Sequence, residues 1–128
     1  MDVNTHRRID SALCGQPESL EPGLARVAFT ALPVMAADDR GLVHGGFVFG
    51  LADYAAMLAV NDPNVVLGAA EARFTAPVVV GEALLAEARL TEPAGKKRLV
   101  AVTVRRGEEA VFTGTFTCFV PEKHVLDR

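Results

Sequence analysis

Hydrophobic and polar residues follow two different patterns along this chain, and the pattern changes near residue 64. Before that point the dominant feature is a long apolar stretch from Phe47 to Val60, in which the ionisable groups are Asp53 and Tyr54. Around them stand large apolar residues (Phe47, Phe49, Leu51, Met57, Leu58) and small ones (Gly50, Ala52, Ala55, Ala56, Ala59). A segment apolar on every side, yet too short to cross a bilayer, predicts a helix buried inside a domain. Its small residues would let a sheet approach closely. Asn61-Asp62-Pro63-Asn64 ends the helix, because a proline follows and Asp and Asn favour turns.

Beyond that stop, Val65 to Thr75, Gly81 to Leu90, Arg98 to Arg106 and Ala110 to Val120 read as four strands. Leu99 to Val104 is rich in β-branched residues, which suit a pleated surface, and Val111 to Val120 alternates threonines with larger groups. The breaks between strands fall at Ala76-Pro77, Pro93-Ala94-Gly95 and Gly107-Glu108, and such short turns predict antiparallel neighbours. Upstream, Leu24 to Leu32 reads as a strand stopped by Pro33, and Met35 to Arg40 as a loop. His6 to Cys14 reads as a short peripheral helix ended by Gly15 and Pro17. The order strand, long buried helix, four antiparallel strands predicts one α+β domain over residues 1–128, with 1–20 peripheral and a sheet face wrapped round the helix. Edge strands and leftover apolar surface predict self-association.

Composition narrows the function classes. At 128 residues, half of them hydrophobic and 23% charged, the chain is long enough for a substantial core. A net charge of -3 argues against a general nucleic-acid binder. Met1 to Asp10 is polar and lacks the apolar core of a secretory leader, and no apolar run is long enough for a membrane span. Cys14 and Cys118 stand far apart with no metal-ligand spacing, so two reduced thiols in a cytoplasmic protein, and no metal, are expected.

The chemistry concentrates between Gly41 and Asn61. A carboxylate buried without a partner costs several kcal/mol or is driven to hold its proton. Asp53 is therefore either a structural acid, accepting hydrogen bonds or pairing with an arginine, or a functional one. His44, Gly45 and Gly46 open the same helix, where unpaired backbone N–H groups and the positive end of the dipole favour an anion or a polarised carbonyl. A carbonyl-binding helix start followed by a buried carboxylate points to acyl-transfer chemistry.

His44-Gly45-Gly46 with Asp53 nine positions after His44, Ala59-Val60-Asn61, Arg73-Phe74-Thr75-Ala76-Pro77 and Val80 to Ala88 together resemble the hotdog-fold acyl-CoA thioesterases of the PaaI type. The resemblance covers roughly Leu24 to Val120. It implies a sheet wrapped round the central helix, a homodimer or dimer of dimers, an acyl-CoA substrate, no cofactor, and a site at the subunit interface. It further implies that Gly45 N–H polarises the thioester carbonyl and that Asp53 is nucleophile or general base, with His44 contacting substrate or holding the turn. Gly46 would then sit beside the ligand and the acyl group would lie near Phe47, Phe49, Tyr54 or Met57. Helix geometry agrees with a shared site: Gly45 and Asp53 are about 12 Å apart along one helix, so both reach one carbonyl only across a two-fold axis.

The chain departs from that family at Asp38, where relatives often place Asn or Gln near the thioester; a carboxylate cannot donate a hydrogen bond unless protonated. Met57 stands where some related enzymes carry a Ser or Thr that positions water, and Ala76 where an arginine often precedes the proline. Phosphate binding would then fall to Arg73 or to Lys96-Lys97-Arg98. The rival readings are a non-catalytic acyl-CoA or acyl-carrier binder of the same fold, a hotdog hydratase or dehydratase, and a purely structural dimerisation module.

Overall fold

The structure, a computed structural model, describes residues 1–92 and 95–127. Its elements are α1 (Ser11–Cys14), β1 (Gln16–Glu21), β2 (Leu24–Thr30), a 3₁₀ turn at Pro33–Met35, α2 (Gly45–Val60), β3 (Val66–Phe74), β4 (Ala83–Glu92), β5 (Lys97–Arg106) and β6 (Glu109–Phe119). The strands form one six-stranded sheet in the order β1-β2-β4-β5-β6-β3, every pair antiparallel.

The alternation of side chains explains why this sheet wraps α2. Ala25, Val27 and Phe29 of β2, Leu84, Ala86 and Ala88 of β4, Val100, Val102 and Val104 of β5, and Phe112, Phe116 and Cys118 of β6 are all buried, two residues apart or in multiples of two. They meet Leu51, Ala52, Ala55, Ala56, Met57, Leu58 and Ala59 of α2. The helix packs chiefly on β4, β2 and β5. With apolar groups on almost every side of it, α2 stays helical because its backbone bonds are internal and the sheet takes up its surface. This is the sheet-round-helix arrangement that the resemblance implied.

The order of the sheet corrects one expectation. β3 and β4 are sequence neighbours but do not pair; β3 pairs with β6, with Phe74 opposite Phe112, and forms an edge. The Thr75–Glu82 connection is too irregular for a hairpin, crossing instead through bridges and hydrogen bonds to Leu42, Val43 and Ala31. Of the expected turn at Pro93-Ala94-Gly95, the first two residues lie outside the described residues.

The N-terminal region also differs from the sequence reading. The helix expected over His6 to Cys14 is reduced to Ser11–Cys14, capped by the Asp10 carboxylate, which accepts from Ala12 N at 2.9 Å. Gly15, at φ +99, ends it, and the chain turns into β1, a strand not foreseen within the first twenty residues. Ahead of α1 an extended arm lies against the C-terminal end of α2. Asn61, in the left-handed conformation at φ 55, accepts from Asn4 N and donates through Nδ2 to Asp2 O, both at 2.8 Å. Thr5 is buried and Val3 packs on the core.

Asn61 thus caps α2 and ties down the arm at once. Asn61→Gly keeps the left-handed cap without the side chain, whereas Asn61→Ala loses both, at an expected cost of about 1–2 kcal/mol. Both variants should speed tryptic cleavage after the exposed Arg7 and Arg8; cleavage at the wild-type rate would show that the arm is held by something else.

Candidate active site

The site begins at the loop that leads into α2. Asp38 Oδ1 accepts from Arg40 N at 2.9 Å and Leu42 N at 3.1 Å, an Asx-type turn that fixes the loop. Ala36 and Val43 bridge, and His44 N donates to Met35 O at 3.0 Å. His44 is then the N-cap residue in an extended conformation, and its side chain makes no capping bond. Among the described residues, no acceptor takes the N–H of Gly45 or Gly46, as expected for the first turn of a helix.

Both glycines have a steric reason. A Cβ at Gly45 would lie 3.2 Å from Cε1 of Phe74, and one at Gly46 would lie 3.0 Å from Cδ2 and Nε2 of His44. The space a side chain would take at each glycine is therefore occupied by an aromatic ring. The His44 ring in turn meets Phe47 edge-on, with centroids 6.1 Å apart.

Two turns along the same helix stands Asp53. Its Oδ1 is buried and has no hydrogen-bond partner, and no lysine or arginine pairs with it among the described residues. Burial pushes its carboxyl from 3.8 up to about 6. Among the described residues, then, the arginine-paired structural acid is not found. Burial, with a further contribution from the Asp53 charge, also pushes the Cys118 thiol up to about 12; Cys14 is raised by burial, then by Asp10 and Asp53. Both thiols are free and stay protonated, so neither is a nucleophile near neutrality. No cluster of side chains suited to a metal is found among the described residues.

The structure sorts the remaining predicted positions. Tyr54 and Met57 are buried, at 5% and 1% exposure, and Phe49 packs on Phe112 and Phe116. They are core residues in the protomer. Phe47 is half-buried beside His44. Arg73 alternates with Phe74 on β3, so it points to the outer sheet face with Glu71, Thr103, Thr113 and Thr115, away from α2. Lys96 pairs with Glu122 at 3.6 Å, beside a concavity of about 750 Å³ that also includes Val66 and Phe119 and holds no member of the predicted catalytic set. A smaller one of about 290 Å³, lined by Asp38, Arg40, Leu42, Pro77 and Val79, lies beside the loop entering α2. The larger hollow has the volume, but the smaller one has the chemistry beside it.

Two residues escaped the sequence reading. Phe74 was visible only as part of a motif, and its closeness to Gly45 follows from β3 pairing with β6. Gly50 lies on the helix one turn before Asp53, and a Cβ there would meet nothing within 4 Å. Helical glycine costs about 1 kcal/mol relative to alanine, so an interior glycine without a steric reason was the available signal.

Comparison with known proteins bears on the family and the fold. The profile of the thioesterase superfamily matches residues 40–113. A stretch of the methylthioribose-1-phosphate isomerase of Aquifex aeolicus is 49% identical over 116 residues, which is 91% of this chain and 25% of that protein. The transcription factor FapR of Shouchella clausii is 31% identical over 91 residues, 71% of this chain and 48% of FapR. The chain thus spans between a quarter and a half of these relatives. Among solved structures, an uncharacterized protein of Pyrococcus horikoshii superposes with a TM-score of 0.97 at 54% identity, covering 99% of this chain and 98% of that one. A point mutant of the phenylacetic acid degradation protein PaaI of Thermus thermophilus gives 0.79 at 29% identity, covering 87% and 96%. No helix of the described residues is long and apolar enough to cross a membrane. The chain belongs to the thioesterase superfamily and has the PaaI-type hotdog fold.

Proposed function

We propose that this chain hydrolyses an acyl-CoA thioester to the free acid and CoA, at a site shared between two subunits. The observation that carries this reading is the buried, unpartnered carboxylate oxygen of Asp53 on the same helix as the free N–H groups of Gly45 and Gly46. The thioester carbonyl accepts from Gly45 N–H, and the helix dipole behind it stabilises the negative charge that develops on that oxygen. Asp53 of the other subunit either takes a proton from the attacking water or adds to the carbonyl itself, forming an anhydride that water then opens. In both routes the thiolate of CoA leaves and takes up a proton. A carboxyl near 6 is mostly ionised at neutral pH yet poorly solvated, which suits either role.

The two-subunit arrangement follows from length. About 12 Å of helix separates Gly45 from Asp53 within one chain. Two antiparallel α2 helices in the register that faces Gly45 with Asp53 place residue 49 at the two-fold axis. Gly50, bare of side chain and facing open space, leaves room for that approach. β3, an edge strand, is available to extend the sheet into the second copy.

Subunit mixing tests the shared site. Asp53→Asn and Gly45→Val chains should each be inactive alone. A mixed dimer keeps one intact site, so random re-association should restore about a quarter of wild-type turnover. No restoration in dimers shown to be mixed would place both groups within one subunit.

A second reading has its own support: similarity to FapR, a transcription factor, favours a domain that binds an acyl-CoA or acyl-carrier ligand without cleaving it. The Asp38 carboxylate, committed to its own loop, and the buried Met57 thioether leave water without an obvious anchor. Thiol release from a panel of aryl- and acyl-CoA thioesters separates the two. Turnover supports the hydrolase; saturable binding without turnover supports the sensor.

A further inference from the structure

Three stretches of chain form a small ribbon just ahead of α2. Residues 41–43 run through its middle. On one side Ala36 bridges Val43, and Ala37 N donates to Leu42 O at 2.7 Å. On the other, Val43 N donates to Val78 O at 2.8 Å and Val80 N to Gly41 O at 2.9 Å. Met35, Val43 and Val78 are buried, so the ribbon is packed as well as bonded. Gly45 follows Val43 by two residues, and the ribbon therefore sets where the first turn of the helix begins.

The 77–82 side of that ribbon is held by one guanidinium. Arg106, the last residue of β5, donates from Nη1 to Pro77 O and to Glu82 Oε1, both at 2.8 Å, and its Nη2 pairs with Glu109. Glu82 Oε1 also accepts from Val79 N at 2.6 Å. One nitrogen and one oxygen thus tie Pro77, Val79 and Glu82 together. The Val79 N–H holds the Glu82 carboxyl below the usual glutamate range, against burial and with help from Arg106, so the group is ionised at neutral pH. The two side chains are 26% and 31% exposed, and an ion pair so open to water contributes little to stability. Its bonds to the backbone fix a position instead.

We propose that Arg106 is a positioning residue of the site: through Pro77 and Glu82 it holds the ribbon that sets where the first turn of α2 presents the N–H groups of Gly45 and Gly46. The inference rests on the thioester reading of that helix start. A donor to a developing oxyanion works only within a few tenths of an ångström of its place, so a small shift of the ribbon costs rate while the fold stays intact.

The test reads amide hydrogen exchange and kinetics in wild type, Arg106→Met and Arg106→Lys. Arg106→Met should speed exchange at Val43 and Val80 by about tenfold or more relative to Val102 in β5, because the opening is local. On a thioester that wild type hydrolyses, kcat should fall by about tenfold with KM within about twofold, the mark of a group acting in the transition state. Arg106→Lys keeps the charge and a donor, and should lie between. Glu82→Gln gives the same pattern, smaller in size, where Arg106→Met does not fold. Unchanged exchange, or exchange raised alike at Val102, overturns the proposal, since a merely structural role would loosen the whole sheet. Faster exchange at Val43 with kcat unchanged overturns it as well. If wild type hydrolyses no thioester, the hydrolase reading falls and the amide NMR signals of Gly45 and Gly46 decide the role of Arg106. Their displacement in Arg106→Met, reversed in Arg106→Lys, upholds it; signals at their wild-type positions overturn it.

Discussion

Asp53→Asn is expected to lower thioester hydrolysis by about 10²- to 10⁴-fold while making the fold more stable at neutral pH. The two effects have one cause. Burial raises the Asp53 carboxyl from 3.8 to about 6, so the folded state holds this proton more tightly than the unfolded chain does. The favourable contribution of that proton is complete below pH 3.8 and is lost as pH rises through about 6. Above that window the ionised group burdens the fold by roughly 3 kcal/mol at most. Asparagine has nearly the same shape and no charge. Its stabilising effect should therefore be close to zero near pH 4 and largest above pH 7, as measured by urea unfolding at both. Wild-type kcat/KM should rise with pH through about 6 and level off, as the base form appears. A variant that keeps its activity, or whose stability follows the wild-type pH dependence, would show that Asp53 is not the buried base.

The largest effect on stability is expected from Phe112→Ala. Phe112 is fully buried and touches the rings of Phe49, Phe74 and Phe116, so it joins α2, β3 and β6. Removing a buried phenylalanine costs about 3–5 kcal/mol, part from lost transfer energy and part from the cavity. For a domain of this size that corresponds to a fall in Tm of roughly 10–20 °C. Phe116→Leu should cost less than half as much, because a leucine fills most of the space. Calorimetry of both variants checks the ranking; equal losses would mean that the cluster relaxes as a unit and that Phe112 has no special place in it.

The core of the architecture was legible because its signals are local. Phe47 to Val60 contains too few polar residues to be anything but interior, and Asn61-Asp62-Pro63-Asn64 stops it within one residue of the observed end. Turn residues located the four later strands to within about two residues. β1 was not legible: Gln16 to Glu21 lacks a buried face, with exposed or half-exposed side chains throughout, and it is a strand because β2 offers it backbone partners. The arm over α2 was hidden for a similar reason. Its hold depends on Asn61, a residue that local chemistry reads as a turn former, bonding to chain nearly sixty positions away.

The candidate site divides along the same line. Sequence alone determined that an acid is buried in a helix whose start is glycine-rich, because composition and order place Asp53, Gly45 and Gly46 without knowledge of any contact. Whether that acid has a partner is a property of three-dimensional packing, and only the tertiary structure decided that Oδ1 has none among the described residues. Packing likewise sent Arg73 to the outer face, turned Asp38 into a loop cap, sank Tyr54 and Met57 into the core and brought Phe74 against Gly45. Composition and order set which residues must be buried, since the cost of exposing apolar surface is paid whatever the topology. Which residues meet depends on strand order, and a β3 paired with β6 rather than β4 costs the backbone the same hydrogen bonds while changing every neighbour.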